Sequence, residues 1–300
     1  MWRSSNLRVI RNPRPLVMAH RGNSADVPEN TREAFEDAAK LEGVDVIETD
    51  VHLTRDGHFV FFHDPVVDRT TNGRGKIKDK TIVELKALDA GYKHAAVDGT
   101  FPYRGKGLTI QSIDEILPAF PDQRFNIDIK ARDTRAPALL ARKLEALGIE
   151  NGPGSRVLVA SFSRGMISRF RAESRVPTSA STREFLHYLW RVKKWARHHD
   201  IARVPEQVSQ EEVLGEKVPY VALQIPEKLS FIQVIGGKWF VDLAHAMGLA
   251  VEVWTINEPD RMRKLLGWGV DGIFSDTPGT LVSVMNELYP RNVGDAPGSR

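Results

Sequence analysis

The sequence contains no cysteine among its 300 residues. That excludes disulfides, thiolate nucleophiles and sulfur-ligated zinc together, so any metal must sit on oxygen or imidazole. No apolar run reaches the roughly 18 residues that a membrane-spanning helix needs. Excess charge is scarce as well. The 42 basic and 39 acidic side chains leave a net charge of +3, too little for a dedicated nucleic-acid binder, so no nucleic-acid partner is expected and any basic surface must be local. No G-x-G-x-x-G follows the first strand-like run and no Gly-rich P-loop occurs, which disfavours dinucleotide binding and nucleotide phosphoryl transfer. The basic stretch 1–14 has no apolar segment before a small-residue cleavage site. Secretion is therefore unsupported, and a cytoplasmic location is expected. Residues 291–300 read as a frayed tail.

What remains is an ordinary globular composition, 41% hydrophobic and 27% charged. Strand-like runs fall at Leu16–His20, Val44–Thr54, Phe125–Lys130, Val157–Phe162, Thr178–Thr182, Tyr220–Ile225, Ala250–Asn257 and Gly272–Ser275. Helical patterns lie between most of them, such as the one that Asn30 would cap with Glu33 three residues on. About eight strands alternating with helices predict an α/β fold, a TIM-like (β/α)8 barrel over 15–290. An open doubly wound sheet is the alternative. The Gly- and Lys-rich region of about 64–120 breaks the alternation and reads as an insertion after the second barrel strand.

Inward barrel positions are normally branched and apolar. Three runs break that rule at their C-terminal ends. Period two places Val44, Val46, Glu48 and Asp50 on one face. It separates Phe125, Ile127 and Ile129 from Asn126, Asp128 and Lys130, and it puts His20 beside Leu16 and Met18. Glu48 and Asp50 read alternatively as solvated strand-end acids, and Asp128 with Lys130 as a structural ion pair. Three such ends in one chain favour convergence on one mouth. Buried like charges repel unless a cation or proton intervenes, so the triplet implies one hard divalent cation, Mg2+ or Ca2+, on oxygen ligands.

Val51 to His63 reads as a hairpin around a two-residue Asp56-Gly57 turn. Pairing Arg55 with His58 then sets Asp50 opposite His63 on the same face. Taken alone, His63 before Asp64-Pro65 is an ordinary loop histidine. With His20 it completes a set of two imidazoles, three carboxylates, Arg21 and Lys130. Cations suit a phosphodiester, and two histidines suit a general base and a general acid. The expected chemistry is phosphodiester cleavage.

In sequence order, Ala19-His20-Arg21-Gly22, Pro28-Glu29-Asn30-Thr31, Glu48-Thr49-Asp50, Thr54-Arg55-Asp56-Gly57, His63-Asp64, Arg69-Thr70-Thr71, Asn126-Ile127-Asp128-Ile129-Lys130 and Val253-Trp254-Thr255-Ile256-Asn257 resemble the glycerophosphodiester phosphodiesterases. The match runs from about Val17 to Leu281. The resemblance implies a divalent metal and hydrolysis of a small-molecule glycerophosphodiester to glycerol 3-phosphate and an alcohol. It implies His20 and His63 as the acid/base pair and Glu48, Asp50 and Asp128 as metal ligands. Arg21 and Lys130 would contact phosphate, and Trp254 joins them on the substrate. The substrate's own glycerol 2-hydroxyl would attack phosphorus, giving a cyclic phosphate that water opens. Many members carry Glu where this chain has Asp128, one methylene shorter, which bears on metal preference. The Asn-Ile-Asp-Ile-Lys form resembles a branch acting as lysophospholipase D on lysophospholipids.

The segment 183–199 sets Phe185, Leu186, Leu189, Trp190, Val192 and Trp195 among Lys and Arg residues. It reads as an outer barrel helix, with a membrane-surface helix or a nucleic-acid contact as alternatives. No obligate protein partner is expected. Two other readings of the whole chain are a barrel phospholipase C on inositol lipids and a catalytically silent binding protein. The carboxylate triplet opposes the first, and the presence of both imidazoles and all three carboxylates opposes the second.

Overall fold

The computed structural model describes residues 14–229 and 232–290. The predicted tails, 1–14 and 291–300, lie outside these except for Arg14, whose guanidinium donates to the Gly43 carbonyl at 3.0 Å. The strands are β1 (Leu16–His20), β2 (Val46–Leu53), β3 (Phe59–Phe61), β4 (Arg124–Ile129), β5 (Val157–Ala160), β6 (Ala222–Pro226), β7 (Lys228–Leu229), β8 (Ile232–Gln233), β9 (Ala250–Trp254) and β10 (Gly272–Ser275). The helices are α1 (Arg32–Lys40), α2 (Ile82–Lys86), α3 (Ile113–Ala119), α4 (Ala136–Ala146), α5 (Arg164–Glu173), α6 (Thr182–Ala196), α7 (Gln210–Leu214), α8 (Lys238–Ala246), α9 (Pro259–Gly267) and α10 (Pro278–Leu288).

Seven parallel strands run in the order β5-β4-β2-β1-β10-β9-β6. Residues 177–180 close the ring. On one side Val159 N donates to Pro177 O at 2.9 Å and Ser179 N to Val159 O at 3.2 Å. On the other, Val221 N donates to Thr178 O at 3.0 Å and Ala180 N to Ala222 O at 2.9 Å. The strand expected over Thr178–Thr182 is thus reduced to single bridges at Thr178 and Ser179. It stops there because Ser181 already caps α6, in a capping box with Glu184. The eight staves and their helices form the predicted TIM-like barrel.

Strands buried on both faces give this barrel two apolar layers. Met18, Val46, Leu158, Ala222 and Phe274 fill the interior. Outward residues such as Ile47, Phe125 and Val159 meet the helices on one side, and Val17, Val251 and Ile273 meet them on the other. Phe35 of α1 is fully buried and stands edge-on to Phe61 and Phe125, with ring centroids 5.6 and 6.1 Å away. Helix α6 buries Phe185, Tyr188, Val192 and Trp195 against the barrel, as an outer helix must, and leaves Leu186 and Trp190 exposed. Between β3 and α3 a separate small apolar cluster forms around Val60, Phe62, Val67, Ile77, Leu85, Leu108 and Ile110. Helix α3 itself belongs to the barrel core through Ile113, Ile116 and Leu117.

Two local expectations fail. The hairpin pairs Val51 with Phe61 and Leu53 with Phe59, and Thr54 N donates to His58 O at 2.9 Å. The turn therefore holds three residues, Arg55-Asp56-Gly57, with Gly57 left-handed at φ 87°. Thr54 stabilises it, accepting His58 N at 2.9 Å and donating to Asp56 Oδ1 at 2.6 Å. The register shifts by one, so Asp50 lies opposite Phe62 rather than His63. The cap of α1 is Thr31, whose hydroxyl accepts Ala34 N at 3.2 Å, and not Asn30. Asn30 is left-handed at φ 58° and spends its side-chain amide on the barrel interior.

Candidate active site

Parallel register carries the inward polar residues to common heights. His20 lies beside Glu48, Glu48 beside Asn126, and Asp50 beside Asp128 one step nearer the C-terminal ends of the strands. Arg21 follows β1 in a left-handed turn (φ 59°) completed by Gly22 (φ 87°). The turn is held by Arg21 N to Glu48 O (2.9 Å) and Asn30 N to Arg21 O (3.0 Å). A cavity of about 280 Å³ opens at these strand ends. His20, Arg21, Glu48, Asp50, His63, Asp128, Lys130 and Trp254, each singled out above, all line it.

His20 Nδ1 donates to Asp276 Oδ1 at 2.6 Å, and its Nε2 lies 3.8 Å from Glu48 Oε2. Asp276 directly follows β10, the neighbour of β1. Asn257 Nδ2 donates to Asp276 Oδ2 at 2.8 Å, and Ser24 Oγ donates to Oδ1 at 3.1 Å. Burial opposes charge on His20, but Glu48 and the Asp276 hydrogen bond outweigh it and raise the imidazole above its ordinary value. Burial also opposes the Asp276 carboxylate, yet His20, Asn257 and Ser24 bring it down to about 2. An ionised carboxylate only accepts, so Nδ1 keeps its proton and Nε2 is the exchangeable position.

His63 has the same arrangement in a different place. Its Nδ1 donates to Asp64 Oδ1 at 2.7 Å, and its backbone carbonyl accepts His52 Nε2 at 3.0 Å. Arg69 Nε donates to Asp64 Oδ2 at 2.6 Å and the same guanidinium forks onto Glu29 at 2.7 and 2.8 Å. Glu29 in turn accepts Arg21 Nη1 at 3.0 Å. Alternating charges thus tie His63 to Arg21 across the mouth. Because the hairpin shift removes the pairing with Asp50, this network and His52 hold His63 in the cavity.

The three carboxylates differ in their surroundings. Asp50 accepts Asn30 Nδ2 at 3.2 Å and lies 3.4 Å from Arg21 Nε and 3.3 Å from Lys130 Nζ. Burial would raise it, but Lys130 and Arg21 hold it below the usual carboxylate value. Asp128 Oδ2 accepts Lys130 Nζ at 2.7 Å, while its buried Oδ1 has no hydrogen-bond partner. Burial raises Asp128 despite Lys130, and burial with the nearby Asp50 pushes Glu48 up to about 7. Lys130 is held above its ordinary value because Asp128 and Asp50 outweigh its own burial.

An orphaned carboxylate oxygen and a carboxyl pushed toward protonation both call for positive charge, so the donor set fits a hard divalent cation. The Lys130 ammonium stands between Asp50 and Asp128, and among the described residues the three carboxylates do not close into a compact ligand cluster.

The cavity has two unlike walls. All its charged side chains come from residues before 177. Facing them are Phe185, Leu186, Pro226, Trp254 and Phe274. Phe162, after β5, is 53% exposed, packs against Trp254 with centroids 5.7 Å apart, and carries Lys130 Nζ 4.6 Å over its ring.

Glu29, Asp64, Arg69 and Asn257 fall within the motifs that carry the family resemblance but had no role assigned to them, and no sequence pattern marked Asp276 or Phe162 for the site. Asp276 carries the same signal as His20, a polar residue ending an apolar inward face, one position beyond the run that defines the strand. Asp64 adjoins His63.

Fold and site together define a barrel whose mouth brings two imidazoles, three carboxylates, Arg21 and Lys130 into one cavity. The family model described as the glycerophosphoryl diester phosphodiesterase family matches residues 20–280, and the chain belongs to that family. It is thus a phosphoric diester hydrolase. A glycerophosphodiester phosphodiesterase of Caldanaerobacter subterraneus subsp. tengcongensis is 33% identical over 91% of this chain and 98% of its own. One from Bacillus subtilis is 32% identical over 88% and 84%. Among solved structures, an Oleispira antarctica phosphodiesterase in complex with the product sn-glycerol-3-phosphate superposes with a TM-score of 0.66 at 27% identity, covering 91% of this chain and 97% of that one.

Proposed function

We propose that the cavity hydrolyses glycerophosphodiesters to glycerol 3-phosphate and an alcohol by general acid/base catalysis with His20 and His63. The observation that carries this reading is the pair of imidazoles, each tied through Nδ1 to its own carboxylate, in a cavity that also holds Arg21 and Lys130. The neighbour solved with sn-glycerol-3-phosphate supports the same product here. Arg21 and Lys130 neutralise the phosphate, and the tight turn at Gly22 fixes the first of them. One imidazole takes the proton of the substrate's glycerol 2-hydroxyl as its oxygen bonds to phosphorus. The other protonates the departing alkoxide as its P–O bond breaks. Water then opens the cyclic phosphate with the two roles reversed. Glu48, Asp50 and Asp128 would hold one divalent cation, Mg2+ or Ca2+, whose contribution is to neutralise phosphate charge. The substrate's own hydroxyl serves as the nucleophile, so the scheme needs none from the protein, and the lining residues Ser161 and Ser179 take no part in it.

A second reading, lysophospholipase D, is favoured by the apolar wall of Phe162, Phe185, Leu186 and Trp254. A lysophospholipid keeps the free glycerol hydroxyl and adds an acyl chain that such a wall would hold. Among the described residues no helix is long and apolar enough to cross a membrane; in this reading the bilayer contact would run through 183–199.

The test is choline release from glycerophosphocholine and from 1-acyl-lysophosphatidylcholine, with magnesium, calcium or EDTA. EDTA-sensitive release that is faster from the soluble diester is the expected result. Faster release from the lysolipid selects the second reading. His63→Ala should lower turnover by about 10²- to 10⁴-fold with an unchanged melting curve; near-normal turnover would remove His63 from the mechanism. Asp128→Glu should change the order of metal preference, and an unchanged order would take Asp128 out of the ligand set.

A further inference from the structure

Helix α6 has a second face that the catalytic reading does not use. Arg183, Leu186, His187, Trp190, Lys193, Lys194 and Arg197 recur at three- and four-residue spacing on the side away from its buried stripe, and all are exposed. Trp190 is 59% exposed and Leu186 48%. Leu186 also lines the cavity together with the exposed Phe162, so the apolar tips run continuously from the mouth outward along the helix. Cations surround them. Arg191 and Lys194 lie 5.8 and 5.7 Å from the Trp190 ring. Between α5 and α6 a second cavity, about 500 Å³, is lined by Arg164, Arg171, Arg183 and His187, with Glu184 and Glu216 as its two acids. Arg171 is taken up by Glu184 at 2.6 Å, whereas the side chains of Arg164 and Arg183 make no hydrogen bond or ion pair among the described residues. No acidic residue occurs between Glu184 and Asp200. The face therefore combines large exposed apolar side chains with an excess of positive charge beside the cavity mouth. Water solvates such apolar tips poorly, and the charge selects an anionic, apolar-cored neighbour.

We propose that this face of α6 docks on an anionic lipid surface, with Trp190 and Leu186 entering the headgroup region and Arg164, Arg183, Lys193 and Lys194 meeting lipid phosphates. Docking in this orientation sets the cavity mouth at the surface, because Leu186 belongs to both. Delivery of a single-chain lipid to the cavity rests on the lysophospholipase D reading; the docking does not.

The experiment is flotation of the purified full-length protein with phosphatidylcholine vesicles, with and without phosphatidylglycerol. Binding is expected only with the anionic lipid and should fall as salt is added. Trp190→Ala and the double variant Lys193→Glu/Lys194→Glu should each cut the bound fraction about tenfold or more. Their melting curves and their turnover of glycerophosphocholine should stay as in the wild type, since neither position lies in the cavity. Failure of the wild type to float with anionic vesicles, or variants that float as well as it does, would overturn the proposal. So would a concentration-dependent dimer in sedimentation that Trp190→Ala abolishes, which would assign the face to a second copy of the chain. Protein that floats and cleaves glycerophosphocholine but leaves lysophosphatidylcholine intact supports the docking and removes the lysolipid reading.

Discussion

A carboxylate behind an imidazole does two things at once: it chooses which nitrogen carries the fixed proton and it stops the ring from turning. Asp276 does both for His20, and Asn257 and Ser24 hold Asp276 in turn. Asp276→Asn keeps the shape but can present its amide to Nδ1 as a donor, which favours the wrong tautomer. Turnover of glycerophosphocholine should fall on the order of 100-fold with little change in KM. Wild-type turnover would show that the pairing is structural. Among single residues, legibility in the sequence followed range. The alternation that marked Glu48, Asp50 and Asp128 is local, and parallel register then brought them together. Asp276 acts on a partner 256 positions away, and no local pattern encodes that contact.

Two glycines show how an element's setting decides the weight of one conformation. Gly22 and Gly57 share φ 87°. A Cβ on Gly57 would meet nothing within 4 Å, whereas one on Gly22 would stand 2.7 Å from the Ala34 backbone. Gly57→Ala should cost only the left-handed penalty of about 1–2 kcal/mol. Gly22→Ala must also push α1 off the end of β1, so its melting temperature should drop further and the Arg21 turn should lose activity. Comparable melting curves and activities for the two variants would refute the difference. The same hairpin marks a limit of turn arithmetic. Asp56-Gly57 fits a two-residue turn by composition, but Thr54 stabilises a three-residue one, and a single added residue moved Phe62 into the place expected for His63. Likewise Asn30 has the composition of a cap, while the neighbouring Thr31 takes the position and frees Asn30 for Asp50.

For the molecule as a whole, the barrel architecture was readable because eight apolar runs alternate with amphipathic ones, a signal summed over the entire chain. The closing stave at 177–180 was overextended, since strand propensity there competes with the Ser181 cap. The interior also carries a titratable group that affects stability beyond the site. Glu252 is 2% exposed, accepts Gln224 Nε2 at 2.7 Å, and is pushed by burial up to about 7. Its folded value lies above its unfolded one, so the folded state keeps a proton that the unfolded chain has already released. Its contribution is complete below the unfolded value and is lost as pH rises toward 7. Glu252→Gln should therefore flatten the fall in melting temperature between about pH 5 and pH 8; an equal slope in both proteins would count against it.

The unlike walls of the cavity map onto the order of the chain. Every charged group at the mouth is supplied before the seam at 177–180, and from Ser179 onward the lining is apolar or uncharged. Apart from Phe162, whose exposed ring joins the apolar wall from before the seam, charge and apolar lining are thus supplied by successive halves of one polypeptide. Asp276 is the late residue that crosses this division of labour, reaching back over the junction of last strand with first to steady His20. Under the proposed function, a change of leaving alcohol would be accommodated in the second half while the reacting groups of the first stay where they are.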